Sequence, residues 1–87
     1  MDIANKTQYD IDVSVSVWDS KEENPSWYTI NPDGKEKWGR KDPRGYLLAV
    51  KKEGAETLYY VRNGAEIAVH DNDVYDKNIK VPPAHSY

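Results

Sequence analysis

The chain has 87 residues, a formal net charge of −3 from 12 Lys and Arg against 15 Asp and Glu, and no cysteine. That length limits it to one domain with a modest core, and excludes disulfides and thiolate metal sites as supports. No apolar run approaches the ~18 residues of a membrane-spanning helix, and "MDIANKT" lacks the basic-then-apolar pattern of a signal peptide. The expected location is therefore the reducing cytoplasm, or outside the cell by a route that leaves no cleavable signal.

In chain order, the first feature is Asn5-Lys6-Thr7, which matches a glycosylation sequon. It is read as fortuitous, because no export signal precedes it. Residues 11–17, "IDVSVSV", alternate strictly, which predicts a strand with Ile11, Val13, Val15 and Val17 in the core. Trp18 then falls on the polar face, where a ring is exposed. "WYTI" at 27–30 is a short strand between the turn signals "ENPS" and "NPDG". "YLLAV" at 46–50 is apolar on both faces and belongs in the middle of a sheet. In "TLYYVRNGAEIAVH" two strands flank Asn63-Gly64, the pair favoured in type I′ hairpins, so direct pairing of 57–61 with 66–69 is expected. Residues 74–81 read as one last strand stopped by Pro82-Pro83, with 82–87 a tail. No window of helix length shows a 3.6-residue period, and turn signals recur every ~8–12 residues, the spacing of an all-β sandwich or barrel. The fold expected over residues 1–87 is a small antiparallel β-sandwich of about seven to eight strands.

The frame "NKT…IDVSVSVW", "WYTINPDGKEKW", "RGYLLAV" and "YYVRNGAEIAV" resembles the β-domain of the von Hippel–Lindau type. The shared order is an Asn-x-Thr lead-in, an alternating strand ending at Trp18, an Ile-x-Pro-x-Gly turn and a later strand of Leu and Val. The chain is also similar to the short cysteine-free β-sandwich proteins of mushroom fruiting bodies and, distantly, to the aegerolysins. These resemblances imply a β-sandwich. The Ser, His and Tyr with which the von Hippel–Lindau domain recognises a hydroxyproline peptide have no matching positions here, and the aegerolysins are longer chains. Neither the peptide site nor the lipid specificity carries over.

Catalysis has little to work with. The only histidines are His70 and His85, and a Ser-His-Asp set drawn from Ser14 or Ser16, His70 and Asp71 lacks a nucleophile elbow. No enzyme activity is expected. Asp71, Asp73 and Asp76 could supply oxygens to Ca²⁺, but the loop lacks the Gly and Glu of an EF-hand and reads as a polar turn, so no metal is expected. No glycine-rich cradle for phosphate exists, and no cofactor is expected.

Two features point to binding instead. Residues 35–44 hold Lys35, Lys37, Arg40, Lys41 and Arg44 around Trp38, with Glu36 and Asp42, for a local charge of +3 and −6 over the remainder. The acidic remainder opposes a nucleic-acid partner. An anionic sugar or lipid headgroup is the alternative use of the cluster. Cross-strand pairing with Asp33, Glu36 and Asp42, with Trp38 as a core ring, is the structural one. The second feature is aromatic: seven Tyr, three Trp and no Phe. Trp18, Trp27, Tyr28, Trp38, Tyr59 and Tyr60 cannot all face one small core, since neighbours in a strand point to opposite faces. The expectation is a non-catalytic, lectin-like module whose ligand-facing residues are Trp18, Trp27, Tyr28, Trp38, Arg40, Lys41, Arg44 and Tyr59, and whose partner is a glycan. A membrane-binding or cytolytic protein is the alternative, then a protein-interaction module or homodimer.

Overall fold

Alternating β-branched residues build the centre of the molecule. In the computed structural model, residues 1–17, 27–38 and 45–86 are described, with backbone alone for Val17, His85 and Ser86. Among these residues ten strands run in chain order: β1 (Asp2–Asn5), β2 (Ile11–Val17), β3 (Tyr28–Ile30), β4 (Lys35–Lys37), β5 (Tyr46–Lys52), β6 (Ala55–Val61), β7 (Glu66–Val69), β8 (Val74–Asp76), β9 (Ile79–Val81) and β10 (His85–Ser86). They form two five-stranded sheets, ordered β4-β1-β7-β8-β9 and β10-β6-β5-β2-β3. The architecture is a small all-β sandwich. No helix among the described residues is long and apolar enough to cross a membrane.

The core follows from register. Val13 lies opposite Val50, and Val15 opposite Leu48, while Leu48 faces Tyr59 on the next strand. Paired residues share a face, so these side chains form one inner layer. Ile3, Ile67, Val69 and Val74 of the other sheet close against it in a single buried cluster. β5 lies between β6 and β2, as its two apolar faces require.

Local turn chemistry departs from expectation in four places. Asn63-Gly64 joins two sheets and is no hairpin: β6 pairs with β5 and β10, and β7 with β1 and β8. Gly64 is left-handed at φ 81, but Asn63 is not among the positive-φ residues, and Ala65 N–H donates to Arg62 O at 3.2 Å. A single positive φ at the second central residue is the type II pattern, not the I′ pattern that matches strand twist. The type I′ signature falls instead on Glu53-Gly54 (φ 48 and 82) between β5 and β6, and on Lys77-Asn78 (φ 48 and 68) between β8 and β9. The second of these splits residues 74–81, read as one strand, into two. Beyond Pro82-Pro83 the chain is no free tail, because Ala84 N–H donates to Leu58 O at 2.8 Å and β10 pairs with β6. Finally, the sandwich is not wholly antiparallel: β1 runs parallel to β7 from Asp2 opposite Glu66 to Asn5 opposite Val69.

Candidate functional site

The Asn5-Lys6-Thr7 segment is a structural hub. The Asn5 side chain is fully buried; its amide donates to Tyr9 O and Ile30 O, both at 2.8 Å. Its carbonyl oxygen accepts from Thr7 N–H at 2.9 Å and Thr7 Oγ1 at 2.6 Å. Both amide protons are used, so a glycan on that nitrogen is incompatible with this fold. The hub ties the end of β1 to the end of β3, and thereby sets where β3 presents its side chains.

β3 carries the ring ledge. It is an edge strand, and Trp27 and Tyr28 are 40% and 51% exposed. Tyr28 pairs with Val13 and shares its inward face, but the core ends there and the ring projects at the rim. Trp38 supports it edge to face, with centroids 5.9 Å apart and planes at 81°. Trp38 itself is half-buried and packs against the core, and its N–H donates to Met1 O at 2.8 Å. Trp27 belongs to the outer face, where Lys51 Nζ stands 4.7 Å from its ring centroid. Beside it Thr29 donates to Asp12 Oδ1 at 2.6 Å across the β2–β3 ladder. The turn that carries β3 into β4 closes through Gly34 N–H to Asn31 O at 2.8 Å, with Asp33 left-handed at φ 63.

Of the sequence-based candidates, Tyr28 and Trp38 come together here, while Trp27 stands on the opposite face of the sheet with Lys51. Tyr59 does not join them. It is 6% exposed, because its register opposite Leu48 points it inward. Tyr60, the other member of the pair, is the exposed one at 42%. Burial is the main cause that holds the Tyr59 phenol above its ordinary pKa, with the Asp73 charge adding to it and a hydrogen bond with Thr57 opposing it. Trp18, Arg40, Lys41 and Arg44 lie outside the described residues. Lys35 of the same basic cluster pairs across the β1–β4 ladder with Asp2 at 3.4 Å, rather than with the Asp33, Glu36 or Asp42 that the sequence suggested.

No family model, curated protein or solved structure matches this chain. Function therefore rests on the geometry.

A second concave surface, which sequence reading saw only as an acidic turn, lies at the β7–β8 connection. It is a shallow, open depression of about 470 Å³ between Lys6, the 70–73 turn, Tyr75 and Asn78. His70 meets Tyr75 edge to face at 5.2 Å and 87°. Lys52 Nζ holds the turn by donating to His70 O and Asp71 O at 3.0 and 2.9 Å. Tyr9 Oη donates to Asp71 Oδ1 at 3.1 Å, and Lys80 pairs with Asp73 at 3.2 Å. Asp76 Oδ1 accepts from Glu66 N–H at 3.0 Å, so each of the three aspartates has a protein partner. Desolvation, then the bond to Asp71 and the nearby negative charges of Asp71 and Glu53, raise the pKa of Tyr9. The Ser-His-Asp set drawn from the sequence is not assembled through Ser14, whose buried hydroxyl has no hydrogen-bond partner. Among the described residues no carboxylates and imidazoles converge as metal ligands.

Proposed function

We propose that this protein is a non-catalytic binding module for a saccharide. One observation carries the reading. Tyr28 opens an edge strand and Trp27 immediately precedes it; both are substantially exposed, on opposite faces of the sheet, and Tyr28 is held in place by Trp38. Rings fixed on a strand scaffold lose little freedom on binding, and large rigid aromatics give contact area at low entropic cost. The flat apolar face of a pyranose is a natural counterpart to such a ring.

A membrane surface is the second reading, supported by the Lys51 ammonium beside Trp27. Tryptophan next to a cation suits the headgroup layer. A glycan array, read at low and high salt, tests the first reading, and co-sedimentation with anionic vesicles tests the second. The saccharide reading expects array signal that survives high salt and is lost in Trp27→Ala and Tyr28→Ala. Vesicle binding that depends on anionic lipid, with a blank array, refutes it in favour of the membrane.

A further inference from the structure

We propose that the cleft at the β7–β8 connection is a subsite for one neutral sugar unit, an inference that rests on the saccharide reading above. Its size, about 470 Å³, falls within the ~300–1,000 Å³ of small-ligand sites. The ring ledge offers stacking area but few free polar groups, since Thr29 is committed to Asp12. The cleft offers the complement. Lys6, Asn72 and Asn78 are exposed on its walls, and their side chains have no protein partner among the described residues. An amide both donates and accepts, which is what a vicinal diol asks of a site.

The walls are also held in place from both sheets. Lys52 of β5 anchors the turn through two carbonyls, and Tyr9 fixes Asp71. The His70–Tyr75 pair sets the ring that a sugar face would meet. Charge then selects the ligand class. Lys80 offsets Asp73 at 3.2 Å, and Lys6 supplies the charge opposite to Asp71 on the same lining. Lys52 adds a further ammonium at the same turn, so charges of both signs are engaged there and the groups left free are the amides, which suit a neutral polyol ring.

The test is an amide and side-chain NMR titration of the whole protein with the methyl glycosides of glucose, galactose and mannose, with glucuronate as the charged control. Saturable shifts at the Asn72 side-chain amide, Asn78 and Tyr75 are expected with at least one neutral glycoside. Asn72→Ala and Asn78→Gly should each weaken that binding by about tenfold, the size of one good polar contact. Asn72 is exposed, and Asn78 sits at φ 68, where glycine is at ease, so both variants should keep the parent spectrum elsewhere. If shifts appear at Trp27 and Tyr28 alone, the cleft proposal is overturned and the saccharide reading stands. If no glycoside moves either surface, both fall. Tighter binding of glucuronate than of any neutral glycoside overturns the assignment of ligand class.

Discussion

Replacing Asn5 probes the joint between β1, β3 and the loop that carries Tyr9. Asn5→Ala removes all four hydrogen bonds of the side chain. The Thr7 hydroxyl, 2.8 Å from Tyr9 O, can then give its one proton there, so two buried groups are left stranded, Ile30 O and Thr7 N–H. Each buried group left unmade costs about 1–3 kcal/mol, so the loss is about 2–6 kcal/mol. An 87-residue domain has only about 4–13 kcal/mol in total. Asn5→Asp is worse at neutral pH, because it aims a buried carboxylate at two carbonyl oxygens. Burial and those oxygens would raise the folded-state pKa of the introduced carboxyl above its unfolded value of ~3.9. The folded state then binds more protons than the unfolded one between the two pKa values, so the variant loses stability as pH rises through that window. The deficit relative to the parent should therefore shrink on acidification. Urea denaturation of parent, Asn5→Ala and Asn5→Asp across a pH series reads this directly. An Asn5→Asp protein as stable as the parent at pH 7, or a deficit that grows as pH falls, refutes the hub.

Gly45→Ala should destabilise by several kcal/mol in urea: φ is 89, and a Cβ would meet Tyr60 Oη at 2.6 Å and Val61 O at 2.7 Å, combining left-handed strain of about 1–2 kcal/mol with a backbone clash. On β2, Val13→Ala should cost about 2–3 kcal/mol, whereas Ser14→Ala should be neutral or stabilising by up to about 2 kcal/mol, since the Ser14 hydroxyl is buried without a partner and its removal ends that penalty; the opposite ranking of melting temperatures would place the faces of β2 wrongly. The raised pKa of Tyr59 means the folded state holds a proton that the unfolded state releases, so stability should fall as pH rises above ~10, and Tyr59→Phe should reduce that alkaline loss.

Much of the fold was legible where one face is buried. The alternation over residues 11–17 marked Val13 and Val15 as core, and both are. It misjudged the other face, where Ser14 is 2% exposed: polarity gives the side of a strand, not whether that side meets water. Turn residues announced where the chain reverses, yet not which strands it joins. Asn63-Gly64 has the composition of a hairpin, but β7 is already flanked by β1, 64 residues earlier, and by β8. That parallel contact is nonlocal, and nothing in a two-residue turn encodes it. The same limit governs Tyr59 and Tyr60. Period two required the rings to part, and only the register against Leu48 decided which one went inside.

The exposed rings and aliphatics have a common origin in how the two sheets end. Tyr28 pairs with Val13, and Ile79 pairs with Asp76, which pairs with Ile67. Both therefore occupy inner-face positions, the face that buries Val13 and Ile67. Both sit on edge strands, β3 and β9, where no further strand of the same sheet lies alongside among the described residues. Ile79 is 72% exposed for that reason, and Tyr28 is half exposed. The outcome differs because of what stands beside each residue. Next to Tyr28, the turn at residues 31–34 leads straight into β4, whose end brings Trp38 against the ring and turns an unfinished core edge into a supported aromatic surface. Next to Ile79, the crossing at Pro82 and Ala84 leaves a groove of about 420 Å³ shared with Tyr60 and Val81. Proline beside an edge strand, and a lysine within it at position 80, are devices that discourage strand addition. The β9 rim is thus protected against pairing while the β3 rim carries supported rings, and this asymmetry directs the search for ligand to the β3 side.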